Sequence, residues 1–163
     1  MAYDAARGQF WITVVAASGP DQLVEVQPTT GVVTTTIALP DCSGAHGLRL
    51  HPDGNSALIA CENNDVLARV DLVGDHSLSI AATGAGPDVL AIDPGLDRLY
   101  VAAESGDVTV FDLAQPGLAL IGHDQPGTNA HTVAVDAATH RVFFPLPEGN
   151  DGTPVLRIMQ PRT

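Results

Sequence analysis

Four segments of the sequence repeat one another, and this repetition constrains the fold more than any other feature. In chain order they read MAYDAARGQFWIT, LRLHPDGNSALIA, LAIDPGLDRLYVA and VAVDAATHRVFFP. A polar turn column sets periods of 47, 42 and 43 residues and is formed by Asp4, His51, Asp93 and Asp136. Seven positions later, an apolar column holds Trp11, Leu58, Tyr100 and Phe143. Self-similarity at such a period is typical of repeat architectures, in which each unit packs only on its neighbours.

Each repeat supplies short strands separated by turn residues. The first two strands flank the turn column, and the third reads QLVEVQ, VLARVDL, DVTVFDL and PVLRIM in the successive units. A fourth strand follows as VVTTTIAL and HSLSIAAT, with GLALIGH as a weaker match in the third unit. Four antiparallel strands in about 40–45 residues are typical of a β-propeller blade. No segment keeps a 3.6-residue period over ten residues, which excludes a helical solenoid, and the alternative of a β-sandwich would not require columns to recur.

The repeats therefore predict an all-β fold of about three and a half propeller blades, each with four antiparallel strands, in an open crescent. The whole chain, 1–163, is expected to form one partial propeller domain with units at about 1–45, 46–87, 88–130 and 131–163. The first unit begins inside its innermost strand, and the last stops after its third. Open blade edges at the first strand and at Val155–Met159 predict self-association.

The repeats resemble those of the YncE-like, YVTN-repeat propeller family. The resemblance rests on GAHGLRLHPDGNSALIACENNDVLARVDL, GAGPDVLAIDPGLDRLYVAAESGDVTVFDL and AHTVAVDAATHRVFFPL, and the Gly-His and Trp-Asp marks of WD40 repeats are absent. Members of that family are usually seven-bladed, often exported, and mostly lack a known activity. Seven blades would need roughly 300 residues. The resemblance thus implies that these 163 residues correspond to the C-terminal half of an exported, periplasmic parent protein.

Charge and hydropathy exclude several classes of partner. The formal net charge of −12 repels phosphate backbones and anionic lipids, so neither nucleic acid nor a membrane surface is expected as a partner. No apolar run approaches the ~20 residues that cross a bilayer, so membrane insertion is not expected either. The stretch FWITVVAA mimics a signal peptide, but Asp4 and a single Arg7 precede it and it fits the repeat. No export signal is therefore predicted in this chain.

The loops between strands two and three, and those between blades, share one face of a propeller, and such longer loops commonly carry function. They hold the rim candidates Glu62, Asn63, Asp65, Glu104, Asp107, Glu148 and Asp151. The alternative is a solvated acidic rim of ordinary turn-forming residues. No Gly-x-Ser-x-Gly, phosphate-binding loop or His-Glu-x-x-His motif is present. His76 and His140 are expected at the surface rather than in catalysis.

Three further candidates stand five residues before the turn column, where each innermost strand begins. They are His46, Asp88 and His131. Because innermost strands line the central channel, these residues should form an arc around its mouth. Two imidazoles and a carboxylate suit a divalent transition metal. The same set could hold an anion when the histidines are protonated, or could satisfy neighbouring backbone groups and keep the mouth in shape.

The two cysteines, Cys42 and Cys61, flank the first two strands of the second repeat. Strands that run antiparallel about Asp53 place Cys61 near residue 46, with Cys42 a short loop away. The spacing allows a disulfide, whose Cα atoms lie 4.4–6.8 Å apart. Two reduced, apolar cysteines are the alternative for a cytosolic protein, whereas the family resemblance implies an oxidising compartment.

Together, these features predict a non-catalytic scaffold that presents a ligand-binding or protein-binding face. One alternative is a metal-dependent propeller enzyme of the lactonase or quinoprotein kind, and another is a metal-binding protein that uses loop histidines. The sequence identifies no cofactor with assurance, and a divalent metal ion is the candidate.

Overall fold

A computed structural model describes residues 1–115, 117–149 and 151–161. These residues form fifteen β-strands in four antiparallel sheets, and no helix. The predicted all-β architecture is therefore confirmed. Within the same residues, no helix has the length and apolar character needed to cross a membrane.

Each sheet, called a blade below, is a meander whose strand order follows the chain. Blade 1 contains β1 (Ala2–Asp4), β2 (Gln9–Val14), β3 (Asp21–Val26) and β4 (Val33–Leu39). Blade 2 contains β5 (Ala45–Leu50), β6 (Ser56–Cys61), β7 (Val66–Asp71) and β8 (Leu78–Ala82). Blade 3 contains β9 (Pro87–Asp93), β10 (Arg98–Ala103), β11 (Val108–Asp112) and β12 (Ala119–Asp124). Blade 4 contains β13 (Ala134–Asp136), β14 (Arg141–Leu146) and β15 (Val155–Met159).

The weakest strand pattern in the sequence, GLALIGH, does form a strand, β12. Its pairing with β11 shifts register, because Val110 lies opposite Gly122 while Phe111 lies opposite Leu120. The intervening Ile121 is thus an extra residue, as in a β-bulge. The shift breaks the two-residue alternation and explains why the sequence signal is weak here.

Apolar side chains pack between successive blades. Leu58 and Leu67 of blade 2 share a buried cluster with Leu99 and Phe111 of blade 3. Comparable clusters join blade 1 to blade 2 and blade 3 to blade 4. Because successive residues of a strand point to opposite sides of its sheet, each blade supplies one face to each neighbour. Extensive contacts between blades connect neighbours in chain order only, within the described part of the chain.

On the face with the tight turns, carboxylates of the turn column accept backbone hydrogen bonds. Asp4 accepts from the backbone N–H groups of Ala6 and Arg7, and the Arg7 guanidinium donates both to Asp4 and to the carbonyl of Gly54 in blade 2. Burial raises the pKa of Asp4, but its hydrogen bonds and the charge of Arg7 outweigh that effect, so the pKa lies below its usual value. Asp4 and Arg7 thus link the turns of two blades.

His140, expected at the surface, is only partly exposed and links blades 3 and 4 in a similar way. Its Nδ1 lies 2.9 Å from Oδ2 of Asp93, a carboxylate with no exposed area. Asp93 also accepts hydrogen bonds from the backbone N–H groups of Gly95 and Leu96. The imidazole is the side-chain partner that satisfies this buried carboxylate from the neighbouring blade.

The His140→Ala variant is expected to unfold about 1–3 kcal/mol more easily, because it leaves a buried carboxylate short of a donor. Urea unfolding at pH 7 measures the change. His123→Ala is the matched control, since the imidazole of His123 is exposed beside Asp107 and such surface pairs contribute little. Equal stability of the two variants would show that the link to Asp93 does not contribute.

Candidate functional site

The loops that lead into the innermost strands have the same backbone conformation in three blades. Gly44, Gly86 and Asn129 occupy equivalent positions, each with a positive φ between 56° and 68°. The carbonyl of Gly44 accepts a hydrogen bond from the N–H of Glu62, and that of Gly86 accepts one from the N–H of Glu104. A Cβ on Gly44 would meet the side chain of Asn63 at 2.7 Å. The positive φ favours glycine at position 44, and the close approach of Asn63 leaves little room for a Cβ there.

Blades 2 and 3 approach each other closely at Gly47. A Cβ on this residue would overlap the carbonyl oxygen of Asp88, which lies at the start of the next innermost strand. Gly47 stands where the following repeats have Val89 and Thr132. The missing side chain thus brings His46 beside Asp88, two residues that the sequence placed at the same channel mouth.

A row of ionisable side chains runs from blade 2 to blade 3 at the channel mouth. His46 lies between two carboxylates, with Nδ1 at 3.4 Å from Oε2 of Glu62 and Nε2 at 3.1 Å from Oδ1 of Asp88. Glu62 and His46 are both exposed, whereas Asp88 is mostly covered. Because carboxylates outnumber imidazoles in this row, its potential favours cations.

Asp88 also belongs to a second group, the mouth trio, which consists of Asp88, Glu104 and His131. One ligand atom from each of these side chains lies within 4.8 Å of the other two. Nδ1 of His131 lies 3.0 Å from Oδ1 of Asn129. The same Nδ1 lies 3.8 Å from Oε2 of Glu104, so it is the imidazole nitrogen on the side of that carboxylate. The trio therefore has the carboxylate and imidazole atoms that a divalent transition metal takes as ligands.

The structure brings the three predicted mouth residues to the same region, but not into one group. Asp88 and His131 share the mouth trio, and His46 lies on the other side of Asp88, outside it. The third member is Glu104, which the sequence placed on the rim. Its N–H bond to Gly86 explains the position, because it holds Glu104 beside the start of the innermost strand of its own blade.

The remaining rim candidates mostly hold loops. Asp65 accepts a hydrogen bond from the N–H of Gly86 at 2.8 Å, and this contact joins blade 2 to blade 3. Asp107 accepts from Ser105 Oγ and lies 3.3 Å from Nε2 of His123. Asn63 donates its backbone N–H to the carbonyl of Ser43, and Oδ1 of Asp151 accepts from the N–H of Thr153. Glu148 follows the end of β14.

Cys42 and Cys61 are joined by a disulfide, with their Cα atoms 5.2 Å apart. The pairing of β5 with β6 places Ala45 opposite Cys61, so the bond ties the loop before β5 to the end of β6. His46 and Glu62 are the neighbours of these two paired residues along the chain. The disulfide thus fixes one end of the ionisable row.

A cleft of about 700 Å³ opens between blades 3 and 4. It is lined by Val110 and Ile121 on one side and by Phe144 and Met159 on the other, and no member of the mouth trio lines it. Burial raises the pKa of Tyr100 in its wall. The cleft lies beside β15, where the described residues of blade 4 provide no fourth strand. We assign the candidate site to the channel mouth, where the carboxylates and imidazole of the mouth trio lie close together, rather than to this cleft.

Solved structures with the same fold show what the architecture is. Hydrazine synthase from Kuenenia stuttgartiensis superposes with a TM-score of 0.78 at 12% identity, covering 98% of this chain and 57% of that one. Virginiamycin B lyase from Staphylococcus aureus gives 0.68 at 13%, with 99% and 55% covered. A putative 6-phosphogluconolactonase from Bacteroides uniformis gives 0.63 at 16%, with 91% and 53% covered. The fold is a β-propeller.

These similarities show the fold alone, because the identities are low. The chain spans a little over half the length of the structures it matches. No family model and no curated protein sequence matches it. The names of the three propellers describe enzymes, and another similar structure is that of a nidogen–laminin complex. The propeller fold therefore occurs in both enzymes and binding proteins, and any assignment of function depends on the site.

Proposed function

We propose that this chain is a non-catalytic propeller scaffold whose loop-rich face binds a divalent transition-metal ion at the mouth trio. The observation that carries the proposal is the convergence of Asp88, Glu104 and His131, whose ligand atoms lie within 4.8 Å of one another. Zn²⁺ bound at 2.0–2.1 Å by a tetrahedral set has ligand atoms about 3.3 Å apart, so small side-chain movements would close the set.

The surroundings of the trio favour a cation. Glu62 and His46 extend the row beyond Asp88, and the whole chain carries a net charge of −12. A contact between Oδ1 of Asn129 and Nδ1 of His131 holds the imidazole ring with this nitrogen also facing Glu104. The hydrogen bond from the N–H of Glu104 to the carbonyl of Gly86 fixes the backbone that carries the Glu104 carboxylate. Most of this arrangement is thus in place before an ion arrives.

Calorimetric titration of the metal-free protein with Zn²⁺ at pH 7 is expected to show one saturable site of low-micromolar affinity. Glu104→Gln and His131→Ala should each weaken binding at least tenfold, which corresponds to about 1.4 kcal/mol. His123→Ala is the control, because His123 pairs with Asp107 and is not in the trio, and it should leave the affinity unchanged.

His46→Ala decides how far the site extends. A tenfold loss would make His46 a fourth ligand next to Asp88, as its position at the start of the innermost strand β5 predicts. A smaller effect would confine the ion to the trio. Lower pH should weaken binding, since protons compete for the imidazole and carboxylate ligands. A titration without saturable heat would contradict the proposal and leave these residues a structural role at the mouth.

A metal-dependent enzyme is the second candidate, and the number of ligands favours it. Three protein ligands leave one position of a tetrahedral ion open, which is the arrangement of catalytic zinc sites. The resemblance to a putative 6-phosphogluconolactonase extends to the fold. Hydrolysis of a lactone by the Zn²⁺-loaded protein, lost in Glu104→Gln, would favour the enzyme over the scaffold.

We also propose that the chain belongs to an exported propeller of the YncE-like, YVTN-repeat kind. The repeat pattern supports this family, and the disulfide between Cys42 and Cys61 supports an oxidising compartment such as the periplasm. Two free thiols in protein produced in the periplasm, titrated after unfolding without reductant, would contradict the compartment.

A further inference from the structure

A small polar pocket, called the turn pocket below, opens between blades 2 and 3 on the face with the tight turns. It has a volume of about 230 Å³, below the roughly 300–1,000 Å³ of pockets that take drug-sized ligands. The lining residues that blade 2 supplies are all polar, and they are Asn55, Ser56, Arg69, Asp71, Ser77 and Ser79. The size and chemistry of the turn pocket suit one small polar molecule.

The turn pocket continues the apolar junction between blades 2 and 3 toward the turns. Arg69 lies two residues after the buried Leu67 in β7 and pairs with Ser79 of β8. Ser56 lies two residues before the buried Leu58 in β6. Because side chains alternate along a strand, these polar residues share the side of the sheet that packs on blade 3. Polar groups thus replace apolar ones at this end of the junction.

The guanidinium of Arg69 is held in place by hydrogen bonds that use only part of its donors. Nε donates to Oγ of Ser56 at 3.0 Å, and Nη1 donates to the carbonyls of Gln115 and Gly117 of blade 3. Within the described part of the chain, Nη2 has no such bond, so its two hydrogens are available to a ligand. Because Oγ of Ser56 accepts from Nε, its own hydrogen is available as well.

The propeller repeat does not require an arginine at this position. The equivalent residues of the four blades pair with the apolar column on the second strand, and they are Glu25, Arg69, Val110 and Ile158. The carboxylate of Glu25 accepts hydrogen bonds from the hydroxyls of Thr34 and Thr35 in its own blade. All four blades form with different side chains in this column, so the fold alone does not account for the cation of blade 2.

Carboxylates lie beside this cation. Asp71 follows Arg69 by two residues on the same side of β7, which places their Cα atoms about 7 Å apart. The N–H of Gly74 donates to Oδ2 of Asp71 at 2.7 Å, and Asp75 accepts from the N–H of Ser77. A cation and a carboxylate in one wall match a ligand that carries both charges. A simple anion would be repelled by Asp71, by Asp75 and by the net charge of −12.

We propose that the turn pocket binds a free amino acid with a small polar side chain, such as serine. Its α-carboxylate pairs with the guanidinium of Arg69, and its α-ammonium group pairs with the carboxylate of Asp71. Hydrogen bonds between a guanidinium and a carboxylate are strong and directional. The hydroxyls of Ser56 and Ser79 and the side-chain amide of Asn55 supply further hydrogen bonds from the lining. The turn pocket lies on the face opposite the mouth trio, so this binding needs no metal ion.

Titration of the ¹⁵N-labelled chain with L-serine in the presence of EDTA, followed by ¹H–¹⁵N NMR spectra, tests the proposal. The backbone N–H signals of Gly74 and Ser79 should shift and saturate, with a dissociation constant of about 0.1–1 mM for a ligand of so few atoms. Acetate lacks the ammonium group and L-serine methyl ester lacks the carboxylate, so each should bind at least tenfold more weakly. The absence of saturable shifts at about 20 mM L-serine would overturn the proposal. Acetate binding as tight as that of L-serine would also overturn it, since the pocket would then be a plain anion site.

Two aspartate variants of β8 locate the binding. Ser79→Asp should weaken L-serine binding at least tenfold, because the new carboxylate stands opposite Arg69 and competes for its guanidinium. Ala82→Asp is the matched control, since Ala82 is also exposed on β8 but lies on the other side of the sheet, and its affinity should be unchanged. Arg69→Lys should weaken binding at least tenfold, because an ammonium group lacks the two-pronged donor geometry. Urea unfolding checks that the variants remain folded. Unchanged binding in folded Ser79→Asp, or an equal loss in Ala82→Asp, would overturn the assignment to the turn pocket.

Discussion

The Gly47→Ala variant is expected to lose about 3 kcal/mol or more of its free energy of unfolding, at or beyond the upper end of what overpacking usually costs. The added Cβ would overlap the backbone carbonyl oxygen of Asp88 and would also lie 2.7 Å from Cδ1 of Leu90. A leucine side chain can move aside, but a strand carbonyl cannot. The innermost strands of blades 2 and 3 must therefore separate, which should also move His46 away from Asp88.

Urea unfolding measures the loss, and Gly122→Ala is the matched control. Gly122 also lies in a strand, but a Cβ there would meet Val110 at ordinary contact distance, 3.5 Å. That substitution should be neutral or slightly stabilising, because alanine restricts the unfolded chain more than glycine does. If Gly47→Ala were as stable as Gly122→Ala, the close approach of the two blades would be wrong.

Breaking the disulfide is the second change with a large expected effect. The bond closes a loop across a sequence separation of 19 residues, for which loop entropy alone suggests about 3 kcal/mol. Both cysteines are buried, so the Cys42→Ala/Cys61→Ala double variant should unfold about 2–5 kcal/mol more easily than the oxidised protein. The double variant also lacks the covalent link between the two segments that carry His46 and Glu62.

Comparison with reduced wild-type protein separates the bond from the side chains. Unfolding in the presence of a reductant should destabilise the wild type by a similar amount and leave the double variant unchanged. Equal stability of the oxidised and reduced wild type would contradict a structural role for the bond.

The repeat columns predicted the fold because burial between blades recurs with every unit. A column such as Trp11, Leu58, Tyr100 and Phe143 is visible without knowledge of distant contacts. In the first three repeats its residue is buried against the next blade. The sequence signal weakened where this regularity fails, at the bulge in β12.

The candidate site was only partly predictable, because its geometry depends on contacts between blades. Equivalent positions pointed to Asp88 and His131, but the closeness of Glu104 to them follows from a backbone hydrogen bond that no pattern records. The contact of His46 with Asp88 depends on the absence of one side chain, at Gly47. The link between His140 and the buried Asp93 joins residues 47 positions apart, one repeat from the next.

The alternation of side chains between the two sides of each strand has a consequence for how such chains can change in length. Each internal blade packs one side of its sheet on the preceding blade and the other side on the following blade. Removing a whole repeat therefore brings together two surfaces that already match, and inserting one adds a matching pair. A recombination event that respects the period would leave no new kind of surface to optimise. Changes in blade number are thus among the mildest rearrangements that a gene of this type can undergo. A break inside a repeat would instead leave part of a buried junction between blades exposed.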